Sequence, residues 1–237
     1  MPENAELVQI AHVYDGDTVL LDDGRRLRLI GMNTPELVRK GKQDEPYARE
    51  AAVFISRLLK SGDLRLTLGS EQQDRYKRWL GHLFVDGSLV SEKMVSEGLA
   101  YSISIPPNLR FSRCIKSAEA VARAKKRNLW EDRPWVDVRA LAGDLSGFRL
   151  LRGRIRAVKE IEKGYLLDLD GRLAVFIDQT IAQGLCSIEG VDELSGLVGE
   201  EVYLRGWIRT KVSKKITDAL SWSMKLTHVD HISIIRR

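Results

Sequence analysis

Between residues 15 and 36 the chain brings carboxylates, an arginine and small oxygen-bearing side chains close together. Asp15-Gly16-Asp17-Thr18 sets carboxylates at a strand end, and Arg28 lies on a later strand. The turn Asn33-Thr34-Pro35-Glu36 then adds oxygen ligands and one further carboxylate. A second arginine, Arg78, stands in Asp74-Arg75-Tyr76-Lys77-Arg78. Carboxylate and carbonyl oxygens suit hard divalent cations. A guanidinium grips phosphate oxygens in two places, and a carboxylate orients or deprotonates water. Cation, charge-matching donors and activated water are together what phosphodiester hydrolysis demands. Each residue also has a plainer reading. An isolated Asp-Gly-Asp is usually a turn, Arg28 alternates with core leucines as a solvent-facing residue would, and Arg78 sits in a charge run. An EF-hand is excluded, because neither the sixth-position glycine nor the closing glutamate is present.

The elements that must position these residues follow from pattern. Val8–Val13 and Thr18–Leu21 read as strands around the acidic turn, Asp23-Gly24 as a hairpin turn, and Arg25–Gly31 as a third strand. There Leu27 and Leu29 share one face and Arg26, Arg28 and Ile30 the other. Residues 37–46 are a polar, basic loop. Tyr47–Lys60 has an apolar stripe at helical spacing. Leu64–Leu68 and Leu80–Val85 are strands, residues 88–97 a short helix stopped by Gly98, and Phe111–Asn128 a longer helix. Phe111, Cys114, Ile115, Ala118, Val121 and Ala122 are its core face. This predicts an α+β domain over residues 1–135.

Residues 136–147 read as a linker. In residues 148–237, Phe148–Val158, Tyr165–Asp168, Arg172–Ile177, Glu201–Arg209 and His228–Ile235 are strand-like, with a short turn or helix near Gln179–Gln183. Short strands at this density predict a smaller, mainly-β domain, an OB-like closed barrel. Arg152, Arg154 and Arg156 alternate along one strand, and Lys211, Lys214 and Lys215 cluster. Such features suit a phosphate backbone as well as a solvated sheet face. His228 and His231 would point to opposite faces of a strand, which argues against a shared metal. No internal repeat is visible.

Composition bounds the class. The chain has 237 residues, 43% hydrophobic and 30% charged, with net charge +5. That describes a globular protein with a mild preference for polyanions. No apolar run is long enough for a membrane span. Cys114 and Cys186 lack the spacing of a zinc site or disulfide framework. The amino terminus has no export-signal pattern. The expectation is a cytoplasmic protein, or a periplasmic or secreted one if Met1 replaces a removed signal. No protein partner is indicated.

VYDGDTV (13–19), RLRLIGMNTPE (26–36) and DRYKRWLGHLFVDGSLVSEKMVSEGLA (74–100) resemble the three signature blocks of the staphylococcal nuclease family, in its order and spacing. The match covers about residues 7–135. The resemblance implies an OB-type five-stranded β-barrel with three helices, and calcium-dependent hydrolysis of DNA and RNA, single strands preferred. It further implies that Asp17 ligates Ca2+, that the Thr34 carbonyl faces the ion, and that Asn33 stands where the family has a second ligating aspartate. Arg28 and Arg78 match the phosphate-binding arginines and Glu36 the glutamate assigned to activating or positioning water. The 37–46 loop matches a mobile loop beside the site, and we place nucleic-acid contacts at Lys40, Lys42 and Tyr76, with Arg152, Arg154 and Arg156 in the second domain. The asparagine removes one negative charge, so calcium should bind more weakly. The family's base-stacking aromatics have no clear counterpart in Tyr101–Asn108. Residues 148–237 look like the extension on some bacterial thermonuclease-like proteins, and no catalytic residue carries over to them. The alternative is a catalytically weak nuclease-like module that binds nucleic acid or protein; Asn33 favours it, while Asp17, Arg28, Glu36 and Arg78 favour the enzyme.

Overall fold

Burial alternates along Arg26–Leu29: Leu27 and Leu29 are buried, and Arg26 and Arg28 turn away from the core, the period-two pattern of a half-buried strand. The computed structural model describes residues 4–37, 43–132, 134–143, 145–210 and 221–236. Lys40, Lys42, Lys211, Lys214 and Lys215 lie outside the described residues. The chain divides into two units, Met1–Arg133 and Pro134–Arg237, each with its own apolar core. Among the described residues no helix is long and apolar enough to cross a membrane.

The first unit runs β1 (Glu6–Leu7), β2 (Ile10–Val13), β3 (Thr18–Leu21), β4 (Arg26–Leu29), β5 (Met32–Asn33), α1 (Ala48–Leu58), β6 (Leu64–Gln73), β7 (Trp79–Val85), β8 (Ser88–Leu89), α2 (Val90–Ser96), β9 (Tyr101–Ser102) and α3 (Ser112–Ala124). It is α+β. The main sheet has the order β1-β6-β7-β4-β3-β2, with β4 and β7 parallel and the other pairs antiparallel. Only Val8 and Gln9 separate β1 from β2, and the Val8 N–H donates to Leu64 O at 3.0 Å. One interrupted strand therefore ties both edges, and the sheet closes on itself. At the β3–β4 hairpin Gly24 has φ 87° with open space around it, so its glycine answers to backbone conformation alone. Gly98 stops α2 in the left-handed region, as expected. α3 ends at Ala124, short of Asn128, because Lys126 and Asn128 take positive φ. On α3, Ile115, Ala118 and Ala122 are buried, but Val121 is exposed.

The second unit is mainly β: β10 (Val136–Asp137), β11 (Gly147–Ile161), β12 (Gly164–Leu169), β13 (Leu173–Ile177), α4 (Gln179–Glu189), β14 (Glu201–Arg209), β15 (Trp222–Lys225) and β16 (Ile232–Ile234). The long β11 pairs with both β12 and β14, which closes the circuit β11-β12-β13-β15-β14. α4 is capped at both ends. Asp178 Oδ1 accepts the Ile181 N–H at 2.9 Å, and Gly190 takes the left-handed C-terminal position.

Two expectations are corrected here, and one strand is added. The linker expected at 136–147 is corrected over residues 136–141: β10 pairs in parallel with β11, and Val138 and Leu141 are fully buried in the second core. β15 was not foreseen, since four residues after a polar stretch give no clear alternation, yet it bridges β13 and β14. His228–Ile235 is a strand only over Ile232–Ile234; a single helical turn, Val229–His231, precedes it. The His228 and His231 rings therefore lie 6.2 Å apart rather than on opposite faces.

No sequence repeat is visible, yet the two units share a strand order. In each, the third strand of the circuit pairs in parallel with the fifth, and a helix, α1 or α4, follows the third strand.

His82 gives the first core a pH dependence. It is 2% exposed, packed edge-to-face on Phe111 at 4.7 Å, and its Nδ1 has no partner among the described residues. Burial, helped by the Arg110 charge, lowers its pKa from 6.5 to about 4. Below pH 6.5 the unfolded chain takes up a proton that the folded chain refuses until about pH 4, so stability falls as pH falls through that window. The full effect is on the order of 3 kcal/mol. Denaturant unfolding from pH 7.5 to 4.5 should show a shallower loss for His82→Leu than for the natural chain; parallel curves would refute this.

Candidate active site

Asp15-Gly16-Asp17 folds as it does because Asp15 Oδ1 accepts the backbone N–H groups of Asp17 (3.0 Å) and Thr18 (2.8 Å). This side-chain-to-backbone turn starts β3. Gly16 is required by crowding: a Cβ there would lie 2.6 Å from Thr34 Cγ2 and 2.9 Å from the Ala51 side chain on α1. The turn aims Asp17 inward, where it is 5% exposed. Its Oδ1 accepts the Thr18 hydroxyl, and its Oδ2 accepts both the N–H and the hydroxyl of Thr34, each at 3.0 Å.

Arg28 reaches the same place from β4, because the Leu29 N–H donates to Asp17 O at 2.8 Å and so seats β4 against the turn. Its NH2 stands 3.0 Å from Asp17 Oδ2 and donates to Asn33 Oδ1 at 3.1 Å. NH1 donates to the carbonyls of Leu29 (2.9 Å) and Met32 (3.1 Å). Nε carries no partner among the described residues. Asn33 is fixed in turn. Gly31, at φ 87°, bends the chain after β4 and could not carry a Cβ beside Ile115. β5 then pairs with β9, Asn33 opposite Tyr101, and the Ser102 N–H donates to the buried Glu119 of α3 at 2.8 Å.

Glu36 follows the same turn at the surface. Its N–H donates to Glu45 Oε2 at 3.0 Å. Partial desolvation, then the negative charges of Asp17 and Asp15, hold its carboxyl above the usual carboxylate range. Its surface position tempers the first of these. Asp15 is likewise pushed up, by burial and then by Asp17.

Arg78 belongs to a different loop. Asp74 anchors it, taking Nε at 2.8 Å and the backbone N–H at 3.0 Å. Against desolvation, the largest single influence, the Arg78 hydrogen bonds hold Asp74 below its ordinary pKa. Both terminal amino groups of Arg78 remain uncommitted among the described residues. Its guanidinium lies 5.6 Å, and that of Arg75 4.8 Å, from the ring centre of the exposed Tyr76. In the parallel β4–β7 pair Arg28 is opposite Leu80. Arg78 comes two positions before Leu80, directly ahead of β7.

Thus Asp17, Arg28, Asn33 and Thr34 form one hydrogen-bonded cluster, Glu36 lies within its field, and Tyr76 and Arg78 stand in the loop that leads into the neighbouring strand β7. The tethering acids Asp15 and Asp74 were not singled out from sequence. Their signals are the Asx-turn spacing at 15–18 and the i,i+4 pair Asp74–Arg78. In the second unit, Arg152 and Arg154 both pair with Glu201, at 3.0 and 3.5 Å. They line a small recess together with Arg139, Asp137 and Asp170, so their charge is largely balanced; Arg156 is exposed.

Among the described residues no three His, Cys, Asp or Glu side chains converge as a metal cluster. The donor set of Asp17, Asn33 and Thr34 nevertheless fits a hard cation by chemistry: one carboxylate, one side-chain carbonyl and one backbone carbonyl, with no soft donor. With a single charge, the set suits a loosely held ion that completes its shell from water or substrate.

The family model for staphylococcal nuclease homologues matches residues 26–132. The chain is 34% identical over 132 residues to a thermonuclease of Staphylococcus hyicus, covering 54% of this chain and 78% of that protein. It is 35% identical over 125 residues to a thermonuclease of Staphylococcus intermedius, covering 52% and 74%. It is 28% identical over 141 residues to the endonuclease YncB of Bacillus subtilis, covering 57% and 67%. Through its first unit the chain belongs to the staphylococcal nuclease homologue family, whose domain implies an OB-type fold there, and the second unit extends beyond that match.

Proposed function

We propose that the chain is a nuclease that hydrolyses phosphodiester bonds of DNA and RNA, single strands preferred, with its chemistry in the first unit. The observation that carries this reading is the Arg28 guanidinium seated on Asp17 Oδ2 and Asn33 Oδ1 at 3.0 and 3.1 Å, beside a carboxylate whose pKa is raised. The thermonuclease and endonuclease names of its relatives support it. Arg78 meets the scissile phosphate with its two uncommitted amino groups while Asp74 fixes its plane. Arg28 offers Nε, and its charge is opposed by one carboxylate only, because Asn33 is neutral. These donors stabilise the charge that builds on phosphate in the transition state. Glu36 takes a proton from the attacking water, and its raised pKa makes it a better base than an ordinary glutamate. Asp17, Asn33 and the Thr34 carbonyl would hold Ca2+, which when bound neutralises phosphate charge. Tyr76 offers its ring or hydroxyl to the substrate. A second reading, a catalytically weak binding module, is favoured by one observation: Asn33 leaves the cation site with a single carboxylate.

Arg78→Ala should lower turnover by about 100-fold or more, on the scale of losing one transition-state donor. Turnover within a few fold of the natural chain on a single-stranded oligonucleotide would remove the second arginine from the mechanism. Glu36→Gln should slow turnover and abolish the acid limb of the pH–rate profile, which in the natural chain lies above the ordinary glutamate range. An unchanged acid limb would assign it to another group. A chelator should abolish cleavage, and Asn33→Asp should tighten calcium binding measured by isothermal titration. Undiminished cleavage in chelator would favour a metal-free mechanism, and equal calcium affinity would remove residue 33 from the ligand set.

A further inference from the structure

The face of β14 turned away from the second core carries Tyr203, Arg205, Trp207 and Arg209 at alternate positions. Across the antiparallel pair, Tyr203 is opposite Arg152, and Trp207 is opposite Phe148. The two ends of this face differ. At one end Trp135 lies on Tyr203 at 4.3 Å with the planes 34° apart, and the Arg205 guanidinium is 6.0 Å from the Trp135 ring. Beside them Arg152 and Arg154 are balanced by Glu201. That end is an aromatic stack and a charge cluster already satisfied within the unit.

The other end repeats the side-chain types without the cover. Trp207 is 41% exposed. Phe148 meets it nearly perpendicularly, with centroids 5.3 Å apart and planes at 70°. A contact of that kind leaves at least one face of the indole without an aromatic partner. Arg209, two positions on, is exposed and pairs with no carboxylate among the described residues. A large exposed aromatic beside an unbalanced guanidinium on a rigid strand is complementary to a flat π-system that bears negative charge.

We propose that the Trp207–Phe148–Arg209 end of this face is a binding platform for single-stranded nucleic acid. A base stacks on Trp207, Phe148 buttresses the indole edge-on, and Arg209 takes the adjoining phosphate. Stacking of this kind tolerates any base, which suits a chain that must hold substrate without selecting sequence. The contact therefore sits at the opposite end of the strand pair from Arg152 and Arg154. The inference rests on the nuclease reading for its choice of ligand.

The test uses the full chain and a fluorescein-labelled phosphorothioate oligothymidylate of about 30 nucleotides, which resists cleavage. Affinity is read by anisotropy against salt, with cleavage of a dinucleotide-sized substrate measured in parallel. Trp207→Ala should weaken binding about tenfold, on the scale of one lost base stack, and Trp207→Phe should recover most of it. Arg209→Gln should flatten the dependence of log affinity on log salt by about 0.7, the loss of one single-strand phosphate contact. Dinucleotide cleavage should be the same in all three variants. Affinity within twofold for Trp207→Ala, or an unchanged salt slope for Arg209→Gln, overturns the proposal. A shift of oligomeric state in Trp207→Ala at unchanged affinity also overturns it, by giving the face to a second copy of the chain. If no variant and not even the natural chain cuts the dinucleotide, the nuclease reading fails, and the anisotropy still decides whether this platform binds strands.

Discussion

The first unit is organised around a charge that it must not leave alone. Arg28 and Asp17 are 14% and 7% exposed at the side chain, so neither is free to hydrate fully. Removing one partner of such a pair typically costs about 3–5 kcal/mol, because the survivor is left uncompensated. Each oxygen of Asp17 accepts at least one hydrogen bond, and each terminal nitrogen of Arg28 donates or pairs. Several elements converge to supply those partners. The Asp15 turn brings in Asp17, β4 brings in Arg28, and the Gly31 bend with the β5–β9 pair brings in Asn33 and Thr34. α2 steadies the bend through the Ser91 hydroxyl, which donates to Ile30 O at 2.8 Å, and α3 steadies β9 through Glu119. The barrel is thereby also the device that holds a guanidinium at a fixed place and angle.

This dependence explains what sequence could reveal. That Asp17, Arg28, Asn33 and Thr34 lie close together is legible because turn chemistry and strand alternation are local and fix which way each side chain leaves the backbone, whereas the roles given to them and to Glu36 are implied by the family resemblance alone. The helix stops at Gly98 and Gly190 are of the same local kind. Features set by register between distant segments were not legible. The row Arg152, Arg154 and Arg156 reads as an open basic face in one strand. Arg152 and Arg154 are balanced only when β14 pairs so that Arg154 lies opposite Glu201, and Arg156 stays exposed. Likewise residues 136–147 look like a linker until β10 is laid beside β11 and Val138 and Leu141 enter the core. β15 is too short to declare itself, and its place is decided by the two strands that need it to close the circuit.

The shared strand order of the two units separates scaffold from chemistry. In the first unit the second strand of the circuit begins directly after Asp17, and the third carries Arg28 on its outer face. In the second, the second strand begins at Gly164 after Lys163, and the third, Leu173–Ile177, is LAVFI with no charged side chain. Gly164 has φ 132°, and a side chain there would strike Ile177 O and Asp178. The residue directly before the second strand, the anchoring carboxylate Asp17 in one barrel, is thus the cation Lys163 in the other, followed by a position that admits no side chain. Without a carboxylate at that corner, an arginine on the third strand would have no partner to seat it. Strand order alone therefore says nothing about activity. What distinguishes the units is a few residues at one corner, and the second is left with its outer face as the surface on which new contacts can be built.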